Sequence, residues 1–267
     1  MPQRFHAGDV PRMGGAAMAL GCTAGWALLD LPPAVALAWW VVMVLAPGTG
    51  LSEDLTHRVP VRWRLLMTLL AGAVATASLD LHIGSLDLPF LQPLWAAAPW
   101  IGTLLAIVAV AGLPHAFNLI DGYNGLAGSV AVICCMVIAW VAMQVGDPAL
   151  AGLVLVVAGA TVGFLFWNYP RGLIFAGDGG AYLWGAVIAV ACVQLVQRHP
   201  EVSPWFPALL LAYPVWETVF SAYRKLARGQ SPGQADALHL HQLIYRRVVR
   251  EIPASDPATR MRLRNNR

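Results

Sequence analysis

Long apolar runs separated by short polar connectors dominate the chain from about residue 13 to 222. The runs are too long for the strands of a soluble protein, which rarely exceed ~10 residues. They predict eight helical spans, at about 13–29, 34–50, 65–79, 99–115, 126–143, 149–167, 180–196 and 205–222. Several fall short of the roughly 20 residues that cross a bilayer core comfortably. Residues 80–98 break the pattern: they alternate weakly around Gly84-Ser85 and predict a small hairpin, with His82 and Asp87 as solvated loop residues. The first fifteen residues lack the apolar core of a signal peptide and run straight into a helix rich in glycine and alanine.

Composition agrees with the pattern. A length of 267 residues would suit one or two soluble domains. However, 58% of residues are hydrophobic and only 12% charged, about half the charged fraction that covers an ordinary soluble surface. The expectation is an all-α polytopic membrane protein, a single integral-membrane domain over 1–267. The 25 glycines and 19 prolines fit it, because packed membrane helices re-satisfy the backbone groups these residues disturb. Cys22, Cys134, Cys135 and Cys192 lie in apolar runs without a CxxC or Cys/His pattern, and read as small buried side chains.

Charge adds sidedness. With the N-terminus cytoplasmic, the inside segments are 1–12, 51–64, 116–125, 168–179 and 223–267. Of the 17 Lys and Arg residues, only Arg198 falls outside them. Such an excess of cytoplasmic cations sets topology, so both ends of this chain are expected inside, with 248–267 a basic tail.

Four of those inside segments also carry acids, histidines and glycines that plain connectors do not need. In 51–64, Glu53 and Asp54 are adjacent carboxylates that repel unless a cation or proton intervenes. Mg²⁺ is the natural partner of carboxylates and phosphate oxygens; an ordinary solvated loop is the competing explanation. In 116–125, Asn118, Asp121 and Gly125 are spaced to share one face of any helical part, and Gly122 lets the backbone approach a ligand. In 168–179, Gly177-Asp178-Gly179 bends the chain and presents a carboxylate directly before a helix. In 223–247, Arg224, Lys225 and Arg228 precede His239 and His241, combining phosphate-holding cations with paired imidazoles. Together the loops suit a phosphorylated soluble substrate meeting a lipid at one membrane face. Composition and orientation alone do not separate a transferase from a transporter.

At these residues the sequence resembles the polyprenyl-phosphate N-acetylhexosamine-1-phosphate transferases, which include the phospho-MurNAc-pentapeptide translocase and the enzymes that start O-antigen and related glycans. His6-x-Gly-x-Val-Pro11-Arg12-x-Gly14-Gly15 resembles the family's first cytoplasmic loop, and Glu53-Asp54 stands where the family usually has Asp-Asp. Asn118-x-x-Asp121-Gly122-x-Asn124-Gly125 matches Asn-x-x-Asp-Gly-x-Asp-Gly. Asn168 followed by Asp178 matches a third motif, and Arg228-Gly229-x-Ser231-Pro232 through His239-Leu240-His241 a histidine loop. The five matches occur in the family's order and cover essentially the whole chain.

The resemblance implies a reaction in which polyprenyl phosphate attacks the β-phosphorus of a UDP-sugar, giving polyprenyl-diphospho-sugar and UMP. It implies Mg²⁺, with Mn²⁺ as a substitute, held by Asp178, Asp121 and Asp54. Asp54, with Glu53 beside it, would contact or deprotonate the lipid phosphate. Asp121 and Asn118 would organise the metal or nucleotide region, with Gly122, Asn124 and Asn168 as further substrate contacts. His239 and His241 would bind substrate or departing phosphate, and Phe175 resembles a position that stacks on uracil. Arg58, Arg62, Arg64 and Arg228 would steer or hold phosphate. Implied partners are the UDP-sugar, undecaprenyl phosphate, the bilayer of a bacterial cytoplasmic membrane and, compatibly, a second copy in a homodimer; no nucleic acid is implied. The simplest donor is UDP-GlcNAc, with a deoxy-aminosugar next, in a polysaccharide-initiating role.

Three departures stand out: Glu53 for Asp, Asn124 for Asp, and Glu217 where related sequences often have Asp. The resemblance also implies about eleven spans, so one before the first loop and two after the histidine loop are expected to lie beyond this chain. The alternatives are a non-enzymatic transporter and an inactive truncated relative.

Overall fold

The computed structural model describes residues 10–229 and 239–247. It is an all-α polytopic membrane protein without strands among the described residues. Its helices are α1 (Gly14–Trp26), α2 (Pro33–Thr56), α3 (Val61–Leu79), α4 (Gln92–Ala97), α5 (Trp100–Ile120), α6 (Leu126–Gln144), α7 (Pro148–Asn168), α8 (Gly177–Arg198), α9 (Phe206–Leu210), α10 (Ala212–Ala227) and α11 (Leu240–Arg247). Every expected span has its helix. Five of them, α2, α5, α6, α7 and α8, are long and apolar enough to cross a membrane.

Three local expectations need correction. First, 80–98 is not a hairpin: Pro89–Leu91 forms a short 3-10 turn leading into α4. Pro89 and Pro93 cannot donate to a ladder but suit the first positions of helical turns. Second, two helices overrun their expected ends. α2 continues through Glu53 and Asp54, and α5 through Asn118, so these residues stand on helices and not in loops. Third, the last expected span is broken at Leu211. Pro214 has no N–H for the Leu210 carbonyl one turn earlier, which receives the Cys134 thiol at 4.0 Å instead.

α8 is the central mast. It is buried along almost its whole length, whereas the other long helices bury less than half of their apolar windows. α2 and α5 pack most extensively against it, α1, α6 and α7 close the remaining sides, and α3 lies across α2 and α5. Trp184 anchors the middle, with its ring against Phe117 and Phe164 and its Nε1–H donating to Thr161 Oγ1 at 2.8 Å. The outward faces of α3 and α10 carry exposed Leu65, Leu66, Leu70, Trp216, Val219 and Phe220, as a lipid-facing surface requires. The ends of α2, α5, α7 and α10 and the starts of α3, α6 and α8 meet at one end of the bundle. That end holds the site.

Candidate active site

The centre of the site is the first turn of α8. Residues 11–15 are zipped to the segment before it: Phe175 N–H donates to the Pro11 carbonyl at 3.0 Å, and Gly14 and Gly15 N–H donate to Phe175 and Ala176 carbonyls at 2.9 Å. Gly177 then turns the chain into the helix at φ +69°. A side chain there would be strained and its Cβ would run into the Asp54 carboxylate. Asp54, buried at the end of α2, accepts the N–H of Asp178 on Oδ1 at 3.0 Å and that of Gly179 on Oδ2 at 2.9 Å. It thereby satisfies two of the amides that a helix start leaves free, and its charge sits where the helix dipole favours an anion. Glu53 does a related task nearby, its Oε2 accepting the Val59 N–H at 2.8 Å in the turn between α2 and α3.

Asp178 is held from two sides. Its Oδ1 accepts from Asn118 Nδ2 at 2.7 Å, and its Oδ2 is ion-paired with Arg64. Behind Arg64, the Tyr182 hydroxyl lies 3.3 Å from His115 Nδ1, and His115 Nε2 lies 2.9 Å from Thr68 Oγ1. This relay ties α3, α5 and α8 together beneath the acid.

In front of Asp178 opens a cavity of about 370 Å³, lined among others by Arg12, Asn118, Asp121, Gly122, Asn124, Asn168, Phe175, Asp178, His239 and His241. This is a volume ordinary for a small-molecule site. Asp121 ends α5 and is solvent-accessible through the cavity. The surrounding protein first, and then the Asp178 and Asp54 carboxylates, push its acid up to about 7, with Arg12 opposing. Because the side chain meets open water, solvent moderates the first of these causes. Asn168 is a clamp: Oδ1 accepts Gly125 N–H at 2.6 Å and Nδ2 donates to the Ile174 carbonyl at 2.8 Å. Asn124 Nδ2 donates to the Pro170 carbonyl at 3.1 Å, a bond that an Asp carboxylate cannot make.

The far wall is α11. The His239 and His241 rings stack at 5.6 Å. His241 is wedged against Tyr123 and Gly122, where any Cβ would strike its Nε2. Burial, then the neighbouring His239, lower the His241 pKa to about 4 against the pull of Glu217, so it is neutral at pH 7.

Nine expected site residues therefore share the cavity. Asp54 and Arg64 stand behind its wall and support Asp178, and Glu53 stabilises a turn. Arg58, Arg62 and Arg228 are exposed and do not line the cavity. His6, Ser231-Pro232 and the 248–267 tail lie outside the described residues. Sequence reasoning assigned no site role to Arg12, Tyr123, Gln242 or Glu217. For Glu217 a signal was present, since an acid inside an apolar run points to function.

A metal fits the acidic wall in a limited way. Among the described residues no three His, Cys, Asp or Glu side chains are grouped to enclose an ion. Asp178 and Asp121 nevertheless offer carboxylates at the cavity, and Mg²⁺ characteristically takes one or two carboxylates and completes its shell with water and substrate phosphates.

Comparison with known proteins places the chain in a family. The model of glycosyl transferase family 4 matches residues 36–196, a stretch that runs from α2 through α8 and includes the Asp54, Asn118, Asp121 and Asp178 positions. The chain belongs to glycosyl transferase family 4. Among similar proteins is the "Probable undecaprenyl-phosphate N-acetylglucosaminyl 1-phosphate transferase" of Bacillus subtilis, 29% identical over 245 residues, covering 90% of this chain and 66% of the relative. The "Undecaprenyl-phosphate alpha-N-acetylglucosaminyl 1-phosphate transferase" of Escherichia coli O157:H7 is 28% identical, covering 91% of this chain and 67% of its own. The "Decaprenyl-phosphate N-acetylglucosaminephosphotransferase" of Mycobacterium leprae is 27% identical, with 91% and 70% covered. The chain thus spans about two thirds of the length of the curated relatives it matches.

Proposed function

We propose that this family 4 chain carries the catalytic site of a Mg²⁺-dependent transferase that moves N-acetylglucosamine 1-phosphate from UDP-GlcNAc to undecaprenyl phosphate. The site would face the cytoplasm of a bacterial inner membrane, and the step would begin a cell-surface polysaccharide. The observation that carries the proposal is the cavity at one bundle end, with carboxylates on one wall and imidazoles on the other. The activities for which the relatives are named supply the sugar and the lipid, and the positive-inside pattern supplies the sidedness.

In this reading an oxygen of the lipid phosphate attacks the β-phosphorus of the donor, the bond to the bridging oxygen breaks, and UMP departs with that oxygen. A bound Mg²⁺ would offset charge on the diphosphate, held by Asp178 and Asp121. Asn118 and Arg64 orient Asp178, and Asp54 fixes the helix start that carries it. Arg12, His239 and His241 meet phosphate oxygens, and Phe175 offers a flat apolar face to the base. Lipid phosphate is largely ionised at pH 7, so alignment matters more than a strong base.

Membranes containing the protein, supplied with undecaprenyl phosphate, Mg²⁺ and a panel of UDP-sugars, should form lipid-diphospho-sugar and UMP in equal amounts, fastest with UDP-GlcNAc. Folded protein that yields no lipid product with any donor would sink the proposal.

A further inference from the structure

Glu217 is 5% exposed, a buried carboxylate within the α10 segment that was expected to be membrane. Both of its oxygens are committed to the start of the histidine helix. Oε1 lies 2.9 Å from His239 Nδ1, and Oε2 accepts the Leu240 N–H at 3.1 Å. His239 precedes the first residue of α11, and its own N–H points to Gln242 Oε1 at 3.4 Å, the reciprocal half of a capping box. The backbone at 239–242 is thus pinned from outside by Glu217 and from inside by Gln242.

The pairing also has a chemical content. An ionised carboxylate only accepts hydrogen bonds, so the imidazole nitrogen facing it must carry a proton. That leaves Nε2 as the nitrogen available to the cavity His239 lines. The His241 ring stacks nearly parallel to it, with ring centroids 5.6 Å apart. His241 is itself held differently, with Nδ1 3.5 Å from the Tyr213 hydroxyl. Two neighbouring imidazoles therefore have unlike partners, a carboxylate for one and a phenol for the other.

We propose that Glu217 is a positioning residue that fixes His239 with its proton on Nδ1 and so presents Nε2 to a phosphate oxygen in the cavity. The proposal rests on the phosphotransfer reading above. Phosphate entry brings one proton from water onto Nε2, so the ring then meets the phosphate oxygen with an Nε2–H while Nδ1–H stays on Glu217, and a charge-assisted hydrogen bond results. In metal sites a carboxylate behind a histidine fixes tautomer and orientation in the same way, and its loss typically costs ~10–100-fold.

The test uses two variants and two readouts. Glu217→Gln keeps size but not chemistry: whichever way the amide turns, its NH₂ faces either the Nδ1–H or the Leu240 N–H. Glu217→Asp keeps the carboxylate. We expect Glu217→Gln to lower kcat by about tenfold or more with little change in donor KM, and Glu217→Asp to retain most of the rate. In protein labelled with ¹⁵N-histidine, the resonance removed by His239→Gln should report Nδ1–H in the parent chain and shift towards Nε2–H in Glu217→Gln. The proposal is overturned if His239 carries its proton on Nε2 in the parent chain. It is overturned equally if Glu217→Gln only lowers Tm, leaving the tautomer and the kcat of the folded protein unchanged. A parent chain that makes no lipid product defeats the reaction assigned to the site, whereas the tautomer measurement judges Glu217 independently.

Discussion

Asp178 shows how much a single side chain here depends on its neighbours: an amide donates to one oxygen, a guanidinium pairs with the other, and the helix start lies beneath. Asp178→Asn keeps the shape but replaces one acceptor with a donor that faces Asn118 or Arg64. We expect kcat to fall at least ~100-fold, equivalent to about 3 kcal/mol, in protein that still runs as a single species on gel filtration. Asn124 makes the opposite case, because placing there the Asp that the sequence resemblance implies should harm this chain. A carboxylate beside the Pro170 carbonyl loses the donor seen at 3.1 Å, so Asn124→Asp should cost about 1–3 kcal/mol, read as a lower Tm. The third residue is His241. Its pKa of about 4 lies below the ordinary 6.5, so the unfolded chain takes up the proton first. Stability should therefore decline as pH falls from about 6.5 towards about 4, by at most about 3 kcal/mol, and level off below. His241→Gln should remove that portion of the slope when Tm is followed across the window in detergent.

Between elements, Asp54 links the end of α2 to the start of α8. In Asp54→Asn one oxygen becomes an NH₂ that confronts a backbone N–H, so Tm and kcat should fall together. A fall in kcat at unchanged Tm would instead make Asp54 a direct participant in the chemistry. The sequence motif marked the residue, but not this task, because the amides it caps lie 124 and 125 positions away. Helix ends were misplaced for a related reason. Apolar runs stop where lipid stops, while α2 and α5 continue for another turn through polar residues that other helices satisfy. The break at Leu211 was in principle legible, since Pro214 stands four residues after Leu210, but the run is apolar on both sides and hydropathy does not register a missing N–H.

At the scale of the whole molecule, seven of the eight expected spans are single helices and the eighth is two, and five of these helices are long and apolar enough to cross a membrane, because long apolar runs leave few other ways to satisfy backbone in a bilayer. The common cavity was less legible, since its walls come from five regions of the chain. Sidedness rests on charge alone and has a simple check. The four native cysteines are buried and form a quiet background, so an impermeant maleimide should label Arg58→Cys only from the cytoplasm and Ser85→Cys only from outside. Labelling of both from one side would overturn the orientation. The order of the site along the chain also bears on biogenesis. Asp54, Arg64 and Asn118 are all synthesised before Asp178, so that acid emerges into a bundle already holding its partners. Glu217 has no such advantage, because His239 follows it by 22 residues. A ribosome that stalls within that interval leaves an acid without its imidazole at the edge of the membrane.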